Sequence, residues 1–238
     1  MFETILFSSL GQLATGVLIF IAFIPPSQIG KGFGRFHTGL AWILWLLAIH
    51  AHLTISFIAL TALLLLAFFF SAKDGIYYSF LCSSILVSCY LLFHSHGSLS
   101  RFILFDLPAS LVLGASAVSM LLGHWYLVAP KLSIHYLKVL TIGLIASLLL
   151  RSALMVVMML NSSQHLAEIH FYDIYGILLL QRILLGLGLS LVFSVLTYFC
   201  VRIRSTQSAT GILYVVLVFC IVGEVIGSYL FSKSGVFF

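Results

Sequence analysis

Four charged residues lie inside long apolar stretches of this 238-residue chain: Asp106, Arg151, Arg182 and Glu224. An ionised side chain near the centre of a bilayer costs roughly 2.5–3.5 kcal/mol on insertion scales, so each group needs a counter-charge or a water-filled site. One interpretation is packing alone, in which Arg182 pairs with Glu224. Arg151 would then pair with Asp106. The other interpretation is that the four groups bind a polar ligand or transfer protons, the usual role of ionisable residues in membrane helices.

Small and polar residues recur at every fourth position beside these charges, which predicts faces directed toward the interior of a helix bundle. Gln12 falls in the same pattern near the start of the chain. The repeated sets are Ser8, Gln12 and Gly16; Asp106, Ser110 and Gly114; Ser147 and Arg151; Arg182, Gly186 and Ser190; and Glu224 and Ser228, beside Gly223 and Gly227. For the small residues alone, close helix packing is the simpler explanation.

The chain also contains nine histidines, which are potential cofactor ligands. Heme b in membrane cytochromes is held by two axial histidines on facing helices. The short motifs "HAH" and "HSH" could contribute to a heme, copper or zinc site, although histidine is also tolerated at helix ends without a ligand. These motifs contain His50, His52, His94 and His96, while His165 and His170 fall in a loop and His37 and His124 lie toward the other ends of their helices.

The elements that carry these residues must be membrane helices. Of the residues, 62% are hydrophobic and 7% are charged, and the mean hydropathy is +1.23, so a polytopic membrane protein is the only broad class that fits. The formal charge of +5 is spread singly through apolar segments, which excludes a basic patch for nucleic acid. The four cysteines have no CxxC spacing, which argues against an iron–sulfur site in this chain.

Taking roughly 20 apolar residues per span, the sequence predicts an all-α bundle of eight transmembrane helices in a single transmembrane domain, 1–238. The first segment lacks the features of a cleaved signal and is predicted to be a retained helix. Helices two and three are divided at "HAHLT", because an undivided helix would exceed the bilayer thickness. The predicted spans are 4–24, 37–51, 53–71, 76–95, 103–127, 138–160, 174–201 and 211–231.

The distribution of Lys and Arg predicts the orientation, since cytoplasmic loops are enriched in both. In the eight-span arrangement, seven such residues share one side and only Arg101 and Lys233 lie on the other, which puts both termini on the non-cytoplasmic side. The seven are Lys31, Arg35, Lys73, Lys131, Lys138, Arg202 and Arg204. All four intramembrane charges then fall in the outer half of the membrane, within about 14 Å of its boundary at 1.5 Å per residue.

Three segments resemble the membrane anchor subunit of dimethyl sulfoxide reductase and related molybdenum oxidoreductases. "FSSLGQLATGVLIF" is similar to the anchor's first helix, and "DIYGILLLQRILLGLGL" resembles its aspartate-tyrosine-glycine segment followed by an arginine-bearing helix. "VGEVIGSYLF" is similar to the glycine-glutamate run of its last helix. The family lacks a resident cofactor in this subunit and has eight helices with both termini outside, in the bacterial inner membrane.

The resemblance implies that menaquinol binds near the outer face and is oxidised there. Its electrons would pass to an iron–sulfur subunit docked on the anchor, and then to a molybdopterin catalytic subunit. The family's functional histidine corresponds to His52 or, as the second choice, His50. Its arginine and glutamate correspond to Arg182 and Glu224. The hypothesis is that His52 accepts a quinol proton, which Glu224 or Asp106 relays outward, because histidine titrates near neutral pH.

The sequence departs from the family in helix three, which lacks an early acidic residue, and after helix two, where the glycine-serine-proline turn is missing. Two other functions stay open. One is a b-type cytochrome that carries electrons through a bis-histidine heme. The other is a small-solute or proton-coupled transporter that uses the four intramembrane charges, although paired Gly/Pro breaks near the midplane are not evident.

Overall fold

A computed structural model describes residues 2–48, 55–71, 74–96, 98–129, 133–161 and 174–235. This part of the chain folds into long helices and short connections, and contains no strand. The eight long helices are α1 (Phe2–Ile21), α2 (Lys31–Ala48), α3 (Ile55–Phe69), α4 (Asp74–His96), α5 (Leu99–Val128), α6 (His135–Asn161), α7 (Ile174–Arg202) and α8 (Thr206–Ser234).

Six helices of the described part are long and apolar enough to cross a membrane: α1 and α4 to α8. The other two fall short for different reasons. α3 is strongly apolar but has only 15 residues. α2 has 18 residues and includes Lys31, Arg35 and His37 in its first half. The chain is therefore a helical protein of membrane-spanning character.

The predicted division between helices two and three, at residues 50–54, lies outside the described residues, which include α2 up to Ala48 and α3 from Ile55. The start of α2 differs from the expectation, because the helix begins six residues before His37. Pro25 starts a single helical turn, Pro26–Ile29, which Gly30 ends with a positive φ of 113°. Only glycine adopts that backbone conformation readily, so the chain reverses there and α2 starts at the next residue.

The eight helices form two groups of four. In the first group, α1 packs on α2 and α4, and α3 packs between α2 and α4. In the second, α5 packs on α6 and α8, and α7 packs between α6 and α8. The groups meet mainly through α1 and α5, and α1 also touches α8 and α4 touches the first turns of α5. α5 is the central helix. In its most apolar 18-residue stretch, 72% of the residues are buried, compared with 56% in α1 and 28–39% in the other long spans.

Glycines set the contact between the two groups. A Cβ added to Gly16 of α1 would overlap the backbone oxygen of Ser110 and lie 2.8 Å from the Cα of Gly114 in α5. A similar contact joins α7 and α8, where a Cβ on Gly186 would lie 2.7 Å from the Cα of Gly223. These helices touch through their backbones, as small residues allow in membrane proteins.

Two helices contain π-helical segments, and both segments carry a charged residue. Phe102–Asp106 lies near the start of α5 and Arg182–Leu189 lies within α7. The wider turn is evident at Ser190, whose Oγ donates to the carbonyl of Leu185 at 3.0 Å, five residues back. A π turn shifts the side chains that follow it relative to a regular helix, and such turns are frequent at functional sites.

Candidate functional site

The candidate site lies toward one end of the bundle, where α1 and α5 begin and α8 ends; this end is called the N-side. Its central acid is Glu224 of α8, which is 2% exposed. Arg151 of α6 donates to it twice, from Nε to Oε1 at 3.0 Å and from Nη2 to Oε2 at 2.8 Å. Arg182 of α7 adds a contact from Nη2 to Oε2 at 3.5 Å. One carboxylate thus joins three helices.

Arg151 also binds α5. Its Nη1 donates to the carbonyl of Leu104 at 3.3 Å, and its guanidinium lies over the ring of Phe105, 4.5 Å from the ring centre. The packing interpretation expected Arg151 to pair with Asp106, and this pairing is not what the structure contains. Because Glu224 takes the Arg151 hydrogen bonds, the arginine reaches α5 only through a carbonyl and an aromatic face.

Arg182 is held by the backbone of α8 as well as by Glu224. Its Nη1 donates to the carbonyl of Gly223. A Cβ added to Gly227 would overlap the guanidinium, so this glycine makes the space that Arg182 occupies. The Nε of Arg182 has no hydrogen-bond partner among the described residues, although the side chain is 1% exposed. Arg182 therefore keeps an unused donor in the interior.

Asp106 forms a second group on the other face of α5. Its Oδ1 accepts from Nε2 of Gln12 in α1 at 2.9 Å, and the same amide nitrogen contacts Oγ of Ser8 at 3.1 Å. The Nε of Arg101 lies 3.8 Å from its Oδ2. Asp106 is completely buried. Glu224 by contrast accepts hydrogen bonds from two guanidinium groups, those of Arg151 and Arg182.

A small recess opens on the N-side next to the Asp106 group. It has a volume of ≈ 50 Å³, which is enough for at least one water and far below the roughly 300 Å³ at which ligand pockets begin. The residues that line it are Thr4, Ile5, Ser8, Arg101, Ser228, Phe231 and Ser232. Ser228 is buried and its Oγ has no hydrogen-bond partner among the described residues, so the recess offers a free hydroxyl.

The contacts around Glu224 and those around Asp106 are neighbours, because consecutive residues of α5 take part in both. Leu104 and Phe105 contact Arg151, and the next residue is Asp106. Aromatic contacts extend the junction to α8, where the ring of Phe231 lies 5.5 Å from that of Phe105 and 4.4 Å from the Arg101 guanidinium. The described ionisable residues of this junction include three arginines, Arg101, Arg151 and Arg182, and two acids, Asp106 and Glu224.

Five of the seven residues predicted for the site meet in this cluster: Gln12, Asp106, Arg151, Arg182 and Glu224. The other two, His50 and His52, lie outside the described residues. Sequence reasoning missed Arg101, which it treated as a loop residue. The available signal was the spacing of five residues between Arg101 and Asp106, which the π-helical segment converts into a side-chain contact.

The described histidines contact residues outside the cluster; His135, for example, lies against Tyr136, with ring centres 5.5 Å apart. His37 bonds the carbonyl of Phe33 through Nδ1 at 2.8 Å. His94 lies against Tyr90, with ring centres 5.8 Å apart. His124 contacts the hydroxyl of Tyr214 at 3.4 Å. Within the described ranges, no three or more His, Cys, Asp or Glu residues group as a metal site would require.

Three residues of the cluster come from three of the segments quoted in the sequence analysis, 7–20, 173–189 and 222–231. Gln12 belongs to the first segment, Arg182 to the second and Glu224 to the third. They come from α1, α7 and α8, so segments far apart in the sequence contribute to one buried cluster. No family model, curated protein or solved structure matches the chain.

Proposed function

We propose that the chain is the membrane anchor subunit of a multi-subunit molybdenum oxidoreductase, which oxidises menaquinol near the outer face of a bacterial inner membrane. The observation that carries this proposal is that the three segments similar to the anchor family lie together in the structure. They supply Gln12, Arg182 and Glu224 to one buried polar cluster on the N-side. The rest of the complex would be an iron–sulfur subunit docked on the anchor and a molybdopterin catalytic subunit.

The proposal includes eight spans and two non-cytoplasmic termini. In this arrangement α2 and α3 also cross the membrane, and the N-side is the outer side. The excess of Lys and Arg at the opposite end supports this orientation. Arg35 fits a position at that end, since its Nε donates to Oγ of Ser71 at 2.8 Å and so joins the start of α2 to the residues after α3.

Quinol oxidation releases two protons and two electrons, so the site needs a proton acceptor and hydrogen-bond partners for the ring oxygens. The geometry favours Asp106 over Glu224 as the acidic relay. Protonating Glu224 would leave Arg151 and Arg182 buried without their counter-charge, which is costly in a low-dielectric interior. Asp106 accepts a hydrogen bond from the neutral amide of Gln12 and lies 3.8 Å from Nε of Arg101, and it is next to a recess large enough for water.

The cluster also has unused hydrogen-bonding groups for a quinol oxygen. Within the described residues, Oε1 of Gln12, Nε of Arg182 and Oγ of Ser228 are buried without partners. Since the recess is too small for a quinol ring, the ring would bind on its outer side. Glu224 then serves to fix α6, α7 and α8 around the site.

The test is purification of the tagged full chain from its native membranes under mild detergent. We expect iron–sulfur and molybdenum-containing subunits to co-purify, and the complex to oxidise a menaquinol analogue without heme in the anchor. A reduced heme b spectrum in the purified chain would instead support the cytochrome. Proton-coupled transport by the chain alone, reconstituted in vesicles, would support the transporter. Either of these results would overturn the anchor proposal.

A further inference from the structure

A groove lies at the end of the bundle opposite the N-side, where α7 ends and α8 begins. Its volume is ≈ 410 Å³, within the range of sites for lipid-sized or drug-sized ligands. Five of its six lining residues are apolar or weakly polar. The lining consists of Leu196, Phe199, Cys200, Arg202, Ile203 and Ile212. Leu196, Phe199 and Ile203 are 45%, 53% and 76% exposed, so the groove is open on the outer surface of the bundle.

The groove has a basic rim. Arg202 is exposed and lines it, and Arg204 follows in the short turn before α8. Arg204 has a left-handed backbone with φ of 59°. This conformation is held by hydrogen bonds from its own N–H to the carbonyl of Val201 at 3.1 Å and from Ser205 N–H to that of Cys200 at 2.9 Å. The two arginines are therefore presented by a tight turn of defined shape.

The positive charge at this rim is not neutralised by acids nearby in the sequence. Segments 129–167 and 174–223, which include most of α6 and α7 and the first half of α8, contain no Asp or Glu. Lys138 of α6 adds a further cation, since its Nζ lies 5.9 Å from the centre of the Tyr198 ring on α7. An apolar groove beside uncompensated basic residues matches a ligand with a hydrocarbon chain and an anionic head.

We infer that this groove binds an anionic phospholipid, with an acyl chain along Leu196, Phe199 and Ile212 and the phosphate at Arg202 and Arg204. Basic pockets between transmembrane helices bind anionic lipid head groups by the same combination of charge and apolar contact. The inference does not depend on the proposed function, since none of these residues belongs to the N-side cluster. If Arg202 and Arg204 served only to orient the chain in the membrane, their charges would be required, but an apolar groove beside them would not.

The experiment separates charge from shape with the full chain in detergent. Lipid retention is measured by native mass spectrometry, and stabilisation is measured as the shift in melting temperature on adding phosphatidylglycerol or phosphatidylcholine. R202Q/R204Q removes the rim charge, and L196W fills the groove without changing charge. K233Q and V218W are matched controls, because Lys233 lies at the N-side and Val218 is 55% exposed on α8 away from the groove lining.

We expect the wild-type chain to retain phosphatidylglycerol in preference to phosphatidylcholine. R202Q/R204Q should weaken phosphatidylglycerol binding on the order of thirtyfold, from the usual contribution of two basic residues near a lipid head group. L196W should also lose the bound lipid, while both controls keep it. Retention of lipid by L196W at the wild-type level would overturn the inference, because it would reduce the site to a charged patch. Equal binding of the two lipids would also overturn it.

Discussion

Arg151 donates to both carboxylate oxygens of Glu224, and this bidentate pair joins α6 to α8 in the buried interior. The planar guanidinium matches the carboxylate in both hydrogen-bonding direction and charge. Since Arg182 shares the Oε2 atom, loss of the carboxylate would affect two arginines at once. The pair is therefore the structural centre of the N-side cluster, and its removal has the largest expected effect on stability.

Glu224→Gln should lower the free energy of unfolding by about 3–5 kcal/mol, because it leaves Arg151 and Arg182 as uncompensated buried charges. Asp106→Asn should cost less, since an asparagine oxygen still accepts from Gln12. The measurement is reversible unfolding of the purified chain in mixed micelles. Equal stability of Glu224→Gln and the wild type would contradict the buried pair.

Gly227→Ala should destabilise the chain by about 1–3 kcal/mol, the usual cost of overpacking, because the new methyl group would occupy the position of the Arg182 guanidinium. Gly211→Ala is the matched control in the same helix, since a Cβ there meets nothing within 4 Å. Both changes raise helix propensity equally, so the difference in their melting temperatures isolates the steric effect. A lower melting temperature for Gly211→Ala than for Gly227→Ala would contradict this packing.

Gly16→Ala should loosen the contact between the two four-helix groups, because the added Cβ overlaps the backbone of α5 at Ser110 and Gly114. We expect a cost of about 1–3 kcal/mol and faster proteolysis in the connection between α4 and α5. Gly75→Ala is the control, since it also adds a methyl group to a helix but meets nothing within 4 Å. Identical proteolysis rates for the two variants would show that α1 and α5 do not meet through their backbones.

Asp106→Asn should lower menaquinol oxidation by the whole complex on the order of 100-fold in kcat, the usual contribution of an acid–base group, with a smaller effect on KM. Asp74→Asn is the control, because Asp74 lies at the start of α4, at the other end of the bundle. Kinetics with a soluble quinol analogue give both constants, and intact complex assembly is verified by gel filtration. Unchanged kcat in Asp106→Asn would exclude the aspartate as the relay.

The sequence was sufficient to find the buried charges but not to assign their partners. Hydropathy identified the helices, and counting residues from the helix ends put Asp106, Arg151, Arg182 and Glu224 at similar depths. Depth does not determine which helices are neighbours or how each is rotated about its axis. The pairing of Arg151 with Glu224 depends on the way α6 and α8 both pack on α5.

Irregular helix segments also limited the prediction of side-chain contacts from the sequence. The π-helical segments change the side-chain register by part of a turn, and a regular period of 3.6 residues cannot anticipate them. For this reason the contact between Arg101 and Asp106 was missed. The start of α2 was missed for another reason, since basic residues in its first turn resemble a loop in a hydropathy profile.

The location of Glu224 in α8 has a consequence for biosynthesis. Translation delivers Arg151 and Arg182 to the membrane before their shared counter-ion has been made. Until α8 inserts, two guanidinium groups must stay near the lipid head groups or in the water of the insertion machinery, because neither can remain unpaired in hydrocarbon. The final packing of α6 and α7 therefore requires α8, and a nascent chain that stops before residue 224 lacks the counter-ion that Arg151 and Arg182 share.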